Sequence, residues 1–366
     1  MPEGEFSILA INPGSTSTKF ALFLNENPVF VKNIRHRDAE MTQFRNRPIL
    51  EQQQFRCAQI ESALADAGVN ISQLSAVVGR GGLLPPLPSG TYEVNPEMLQ
   101  ELGLARRGEH ASNLGAFLAH SVAEKAGTPA YVVDPVSVDE WPEVARMSGS
   151  ALLERQALSH VLNSKAVAKR FARERGKAYE SLRLVVAHLG SGISVSAHDN
   201  GRMIDVTNSR EEGAFSTERA GGVPVMQLVD LCFSGTYTRK QIEALLFRDG
   251  GLYSYLGTRD LVEVERRITT GDGKATTVFQ AMVYQIAKEI GAMAAVLCGR
   301  VDAILFTGGM AQSERLVSLL AERVKWIAPI VAYPGEDELR ALTEGVLRVL
   351  RQEERSRHFG NPSRGD

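Results

Sequence analysis

The chain has 366 residues, enough for about two domains at roughly 150 residues each. Lys and Arg number 41 against 43 Asp and Glu, a formal net charge of −2, which excludes a nucleic-acid binder driven by counterion release. With 43 % hydrophobic and 23 % charged residues the chain is too apolar for disorder, and no run of about 18 apolar residues offers a membrane span. The acidic start (1–5) and the short apolar run after it predict no signal peptide. Cys57, Cys232 and Cys298 show no CxxC spacing, so buried or inert thiols in a reducing cytoplasm are expected.

In chain order, residues 7–25 (SILAINPGSTSTKFALFLN) predict strand, tight turn, strand. A helix is predicted over 48–67, with Pro48 near its start and Gly68 past its end. Strands follow at 76–79 and 130–134, and a helix at 161–175 before Gly176. Residues 182–206 repeat the opening pattern: an apolar run, a Gly-Ser turn (Gly190, Ser191, Gly192) and alternating Ile193, Val195, Ala197. Asn200-Gly201 then predicts a type I′ hairpin. A helix over 278–298, a strand over 303–307 and a helix over 336–352 complete the set, and the charged stretch 353–366 reads as a disordered tail. Strands alternating with long helices predict an α/β class. The two Gly-Ser turns stand about half the chain apart, which suggests duplicated domains.

Three turns carry candidate chemistry. In NPGSTSTK (12–19), small residues allow backbone N–H groups to approach a phosphate, and Ser15 and Ser17 add hydroxyls. Asn12 can ligate a metal, and Lys19 supplies a point charge. It is not a Walker A loop, and a Ser/Thr-rich hairpin with a surface lysine would read the same way. The second turn is His188-Leu-Gly190-Ser191-Gly192. The third, FTGGMA (306–311), follows an apolar strand, and Gly308-Gly309 permits close backbone approach to a nucleotide, with Met310 and Ala311 completing the turn. Together the three favour a nucleotide cleft between two similar domains.

The ordered set NPGSTSTK, GRGG (79–82), GEHASNLGA (108–116), VVDPVSVDEWP (132–142), HLGSG, FSTERAGG (215–222), FTGGMA and YPGEDEL (333–339) resembles the butyrate kinases, which stand with the acetate and propionate kinases in the acetokinase family of the actin-like ATPase superfamily. The resemblance runs over nearly the whole chain. It implies two ribonuclease-H-like domains, 1–134 joined by the helix 338–352, and 135–337 carrying the nucleotide site, with ATP between them. It further implies reversible, Mg²⁺-dependent phosphoryl transfer from ATP to a short-chain fatty acid, and a homodimer or higher homo-oligomer in the cytoplasm.

By the same resemblance Arg80 and Arg219 match the arginines that hold the acid and the transferred phosphoryl group. His160 matches a histidine stabilising the transition state, and Asp134 an aspartate orienting an arginine or the metal shell. His110 and His188 match histidines near substrate and phosphate. For Mg²⁺ the oxygen donors are Asn12 and the acidic run 336–338, where the alignment puts Asp337 at a metal-site glutamate, with Glu338 adjacent. Gly81-Gly82 and Ser159 replace bulkier residues of the acetate kinases and are expected to open room for an acyl tail of about four carbons, each buried CH₂ being worth about 0.8 kcal/mol. Val262 stands where the family often has an arginine, which weakens a ribose role for Asp260. The competing expectations are an acetate or propionate kinase, and a non-kinase actin-like ATPase or chaperone. The latter would not need Arg80, His160 and Arg219.

Overall fold

The computed structural model describes residues 4–45 and 47–360, and they form two units that divide the chain between Asp139 and Glu140 and between Glu336 and Asp337, the second unit being Glu140–Glu336. The strands are β1 (Ser7–Pro13), β2 (Ser17–Leu24), β3 (Asn27–Arg35), β4 (Ala76–Arg80), β5 (Thr91–Glu93), β6 (Ala130–Val133), β7 (Leu184–Leu189), β8 (Ile193–Asp199), β9 (Arg202–Val206), β10 (Ala303–Gly308), β11 (Ile330–Pro334) and β12 (Arg357–His358). The first unit holds a sheet of order β12-β5-β6-β4-β1-β2-β3, the second one of order β11-β10-β7-β8-β9.

In the first unit β1, β2 and β3 form an antiparallel meander, and β4 and then β6 add in parallel on the other side of β1. In the second unit β7, β8 and β9 form the same meander, and β10 and then β11 add in parallel beside β7. Five strands thus share order and sense in both units. The repeat matches the duplication suggested by the two Gly-Ser turns and the ribonuclease-H-like arrangement implied by the resemblance, and the fold class is α/β with mixed sheets.

Alternation within the strands decides what each face carries. Leu9 and Ile11 of β1 join Phe20, Ile60, Leu64, Val77 and Leu118 in a core under the helices Gln53–Asp66 and Leu114–Ala126. Ile8, Ala10 and Asn12 point to the opposite face, where the helix Glu338–Leu350 packs on β1, β4 and β6. In the second unit Val185, Ala187 and Leu189 of β7 pack with Phe279, Met282 and Ile286 of the helix Gly273–Val296. Leu184 and Val186 meet Val167, Ala168 and Phe171 of the helix Val161–Glu174 on the other side. His188 shares that second face.

The type I′ turn is present, with Asn200 at φ 50° and Gly201 at φ 72°. The long helix begins at Gly273 rather than 278, because Asp272 caps it by accepting from Ala275 N at 2.9 Å. Of the stretch expected to be disordered, 353–360 is described, and Arg357 and His358 pair in parallel with β5, while 361–366 lie outside the described residues. The three cysteines are free, Cys57 buried and Cys232 and Cys298 exposed. Among the described residues no helix is long and apolar enough to cross a membrane.

Candidate active site

The turn between β1 and β2 is closed by Gly14 N donating to Ser17 O at 2.8 Å. Asn12 and Lys19 are directly opposed in the β1–β2 ladder and so stand on one face of the sheet. Ser15 and Lys19 are exposed and Ser17 is half-buried. Beneath the turn lies Arg56, which the sequence reading passed over. Its guanidinium donates to Gly14 O (2.8 Å), Ser17 O (3.0 Å), Thr18 Oγ1 (3.0 Å) and Ser15 O (3.3 Å), and to Gln52 Oε1 through two nitrogens (3.0 and 2.7 Å). A signal was available: Arg56 stands with Ile60 and Leu64 at i, i+4 and i+8 on the buried stripe of its helix.

The acidic run 336–338 splits into three environments. Glu338 receives Arg80 at 2.8 and 2.9 Å on its two oxygens, and a hydrogen bond from Asn12 Nδ2. Asp337 caps the helix Glu338–Leu350, accepts from Arg340 N at 3.2 Å and pairs with the Arg340 side chain at 3.0 Å. The carboxylate of Glu336 lies 3.2 Å from His188 Nε2 in the second unit. Asn12 Oδ1 is buried and without a hydrogen-bond partner among the described residues. One unclaimed amide oxygen beside one carboxylate fits a hard cation that keeps most of its ligands as water and phosphate oxygens, as Mg²⁺ does. It does not fit a cation needing a full protein cage, since no group of three or more His, Cys, Asp or Glu is gathered among the described residues.

Four expected first-unit residues lie otherwise engaged. Asp134 sits at φ 40° after β6, and its carboxylate accepts from Gly90 N at 2.8 Å rather than meeting an arginine. His110 caps a short turn through Nδ1, 2.8 Å from Ser112 Oγ. Gly81 and Gly82 do not open a pocket. A Cβ at Gly81 would stand 2.4 Å from Pro135 and 2.6 Å from Val132, and one at Gly82 would stand 2.5 Å from Asn113. The space that bulkier side chains would take is filled by the protein's own packing, so these glycines serve close approach of elements.

In the second unit His160 precedes the helix Val161–Glu174 and His188 is the penultimate residue of β7. Their rings stack with centroids 3.8 Å apart and planes 7° apart. His160 Nδ1 is 3.0 Å from Ser194 Oγ, and His188 Nδ1 is 2.9 Å from the amide of Asn163, which also donates to Thr307 Oγ1 at 3.1 Å. Asn163 was not among the expected site residues, although it falls one helical turn after His160. Ser159 is buried with its hydroxyl unpartnered among the described residues.

The β7–β8 turn gathers further groups. Arg219 lies against Gly192, where a Cβ would come within 2.7 Å of its guanidinium, so a larger residue there would displace the arginine head. Arg219 also donates to Ser209 O and Oγ at 3.2 and 3.1 Å, and burial lowers its pKa below the ordinary guanidinium range. Ser216 donates to the Ser191 carbonyl. Gly308 adopts φ 90°, and its Cβ position would fall 2.3 Å from Leu189 O, which holds the 308–311 turn close to the end of β7.

Beside these turns a cavity of about 520 Å³ opens within the second unit, lined among others by Gly190, Ser191, Gly309, Met310, Asp260 and Glu336. Its size is that of a small-molecule or nucleotide pocket. Asp260 caps the helix Leu261–Thr269 and accepts from Val262 N at 2.9 Å. His188, Gly192, Gly308 and Ala311 shape the turns without lining the cavity. The structure therefore brings together Asn12, Arg80 and Glu338 in one unit, with Lys19 on the same sheet face. It brings together His160, His188, Gly192 and Arg219 in the other.

The family model described as the Acetokinase family matches residues 152–327. The fold is similar to acetate kinase from Porphyromonas gingivalis, with a TM-score of 0.80 and 20 % identity over 94 % of this chain and 100 % of that one. It is similar to a propionate kinase from Francisella tularensis subsp. tularensis SCHU S4, with a TM-score of 0.74 and 17 % identity over 93 % of this chain and 98 % of that one. It is also similar to acetate kinase from Entamoeba histolytica, with a TM-score of 0.73 and 16 % identity over 93 % and 98 %. At these identities the likeness to the solved structures is one of fold. The family-model match lies within the second unit and takes up most of it.

Proposed function

We propose that the protein is a carboxylate kinase, which moves the terminal phosphoryl group of ATP to the carboxylate of a short-chain fatty acid and runs reversibly. The reading is carried by the β7–β8 turn, where a Gly-Ser loop, a half-buried guanidinium and a stacked histidine pair adjoin a nucleotide-sized cavity. The acceptor carboxylate is ionised at pH 7, so no base is required. Its oxygen forms a bond to the terminal phosphorus as the bond to the ADP oxygen breaks, yielding acyl phosphate and ADP. The chemistry is then positioning and charge stabilisation.

Within this reading Arg80 holds the acid, while Arg219 and His160 face charge developing on the transferred group. His188 is fixed by Asn163 and supports the His160 ring. Ser15, Ser17, Lys19, Gly190, Ser191 and the 308–311 turn hold phosphates. Asn12 and Glu338 would hold Mg²⁺, which when bound neutralises phosphate oxygens. The protein acts as a homodimer or higher homo-oligomer of the cytoplasm, a reading supported by the exposed apolar residues Val225, Met226 and Phe233 on the helix Val225–Phe233.

Butyrate or a branched acid of similar size is the proposed acceptor, on the motif resemblance and on the small Ser159, with Gly81-Gly82 no longer contributing. The test is a panel of acetate, propionate, butyrate and isobutyrate with ATP and Mg²⁺, the acyl phosphate being trapped by hydroxylamine. The highest kcat/KM is expected with the four-carbon acids. A higher value with acetate removes the chain-length reading and leaves the kinase reading. No acyl phosphate from any acid favours a non-kinase ATPase.

A further inference from the structure

Arg56 is fully buried on the helix Gln53–Asp66, yet no carboxylate pairs with it among the described residues. All its partners are neutral: one glutamine oxygen, one hydroxyl and the carbonyls of Gly14, Ser15 and Ser17. A buried cation without a counterion is costly, and a neutral side chain could tie down the same turn. Burial lowers its pKa to about 10, which leaves it charged at neutral pH.

The carbonyl contacts fix the turn's polarity. In a trans peptide the C=O and the following N–H point in opposite directions. With Gly14 O and Ser15 O drawn inward onto the guanidinium, the N–H groups of Ser15 and Thr16 face away from it. Both residues are exposed. The outer side of the turn thus presents two N–H dipoles backed by a buried positive charge, an arrangement that attracts anions.

We propose that Arg56 is a positioning residue for anion binding, which orients the β1–β2 turn and supplies the uncompensated charge that lets its Ser15 and Thr16 N–H groups take a polyphosphate. This rests on the reading of the turn as a phosphate site. Arg56 touches no substrate and acts through the backbone of the turn.

The test is calorimetric titration of the full chain with ATP and with adenosine, for the wild type, Arg56→Gln and Arg56→Lys. The wild type is expected to prefer ATP. Arg56→Gln is expected to reduce that preference by about tenfold or more, with adenosine binding unchanged. Arg56→Lys keeps the charge and is expected to retain the preference within about threefold. Retention of the preference in Arg56→Gln, or equal loss in both variants, overturns the assignment. A wild type that binds ATP no better than adenosine overturns the phosphate reading itself. Should Arg56→Gln not fold, hydrogen exchange on the wild type decides. ATP, and not adenosine, is expected to slow exchange in the peptide spanning 14–18, and no such slowing overturns the proposal.

Discussion

Three adjacent carboxylates, Glu336, Asp337 and Glu338, have three different partners: His188, Arg340 with its own helix N-terminus, and Arg80 with Asn12. Adjacency in sequence made them look interchangeable as metal donors. The helix starting at 338 separates them, because its cap residue turns inward to the backbone while the next side chain leaves toward β1. Glu338→Gln should therefore raise the Mg²⁺ concentration for half-maximal activity about tenfold or more. Asp337→Asn keeps a capping side chain and should leave it within about twofold. A metal titration that ranks the two variants the other way would reassign the donor. The same scale separates His188 from its support. Removing the Asn163 amide frees the His188 ring and with it the stack on His160. Asn163→Ala should lower kcat by about ten- to a hundredfold with little change in the KM for ATP, as a misplaced group does when binding is untouched. Steady-state kinetics with ATP varied separates the two constants.

Strand β8 shows at the scale of an element what the sequence carried and what it concealed. Its apolar half, Ile193, Val195 and Ala197, was plain from alternation. The intervening Ser194, Ser196 and His198 are polar, as on a strand with one wet face, yet they are buried as well. There His198 bonds with Tyr179 (2.6 Å) and Ser196 (2.8 Å), and Lys165 pairs with Glu140 at 2.7 Å. A polar residue on a doubly covered strand has no periodic mark of its own; only its partners reveal it, and they lie far off in the chain. The helix Leu114–Ala126 was hidden for the converse reason. Leu114, Ala116, Leu118, Ala119, Val122 and Ala123 are buried around much of its circumference, leaving no clean polar stripe. Lys165→Met takes the paired cation from the buried Glu140 carboxylate, which keeps the Met203 N–H, and should cost about 3–5 kcal/mol in urea unfolding, part of it recovered by adding Glu140→Gln. His198 gives a pH signature. Burial, with Lys165 near it, lowers its pKa from 6.5 to about 3. The unfolded chain takes up a proton below pH 6.5 that the folded chain refuses until about 3. This group's contribution is thus intact above 6.5 and is lost as pH falls through that window, by about 1.4 kcal/mol per unit. His198→Gln should remove that slope from the difference between the two unfolding curves measured from pH 7 to 4.

For the whole molecule, the spacing of two Gly-Ser turns announced two units, and the paired strand orders bear that out. The surface and the chain path are less visible in sequence. The helix Val225–Phe233 has no buried residue, and Phe233 is 86 % exposed. If copies of the chain assemble through it, Phe233→Glu should shift the sedimentation equilibrium toward the monomer while leaving far-UV dichroism unchanged. The chain path gives a sharper test. It leaves the first unit after Asp139, builds the second, and returns at Asp337. The returning helix Glu338–Leu350 buries Leu339, Leu342, Val346 and Leu347 in the first unit. At about 1.5–3 kcal/mol for each buried side chain, those four contribute about 6–12 kcal/mol. That equals the whole stability of an ordinary domain, about 5–15 kcal/mol. A chain ending at Glu336 should therefore fail to fold its first unit. Its second unit keeps both hydrophobic clusters around β7 and β10, since every residue of them falls within Glu140–Glu336. Limited proteolysis of the shortened chain should digest 1–139 and leave a protected fragment close to 140–336. Equal protection of the two segments would show that the first sheet holds without its last helix, and that the interleaved chain path is not what stabilises it.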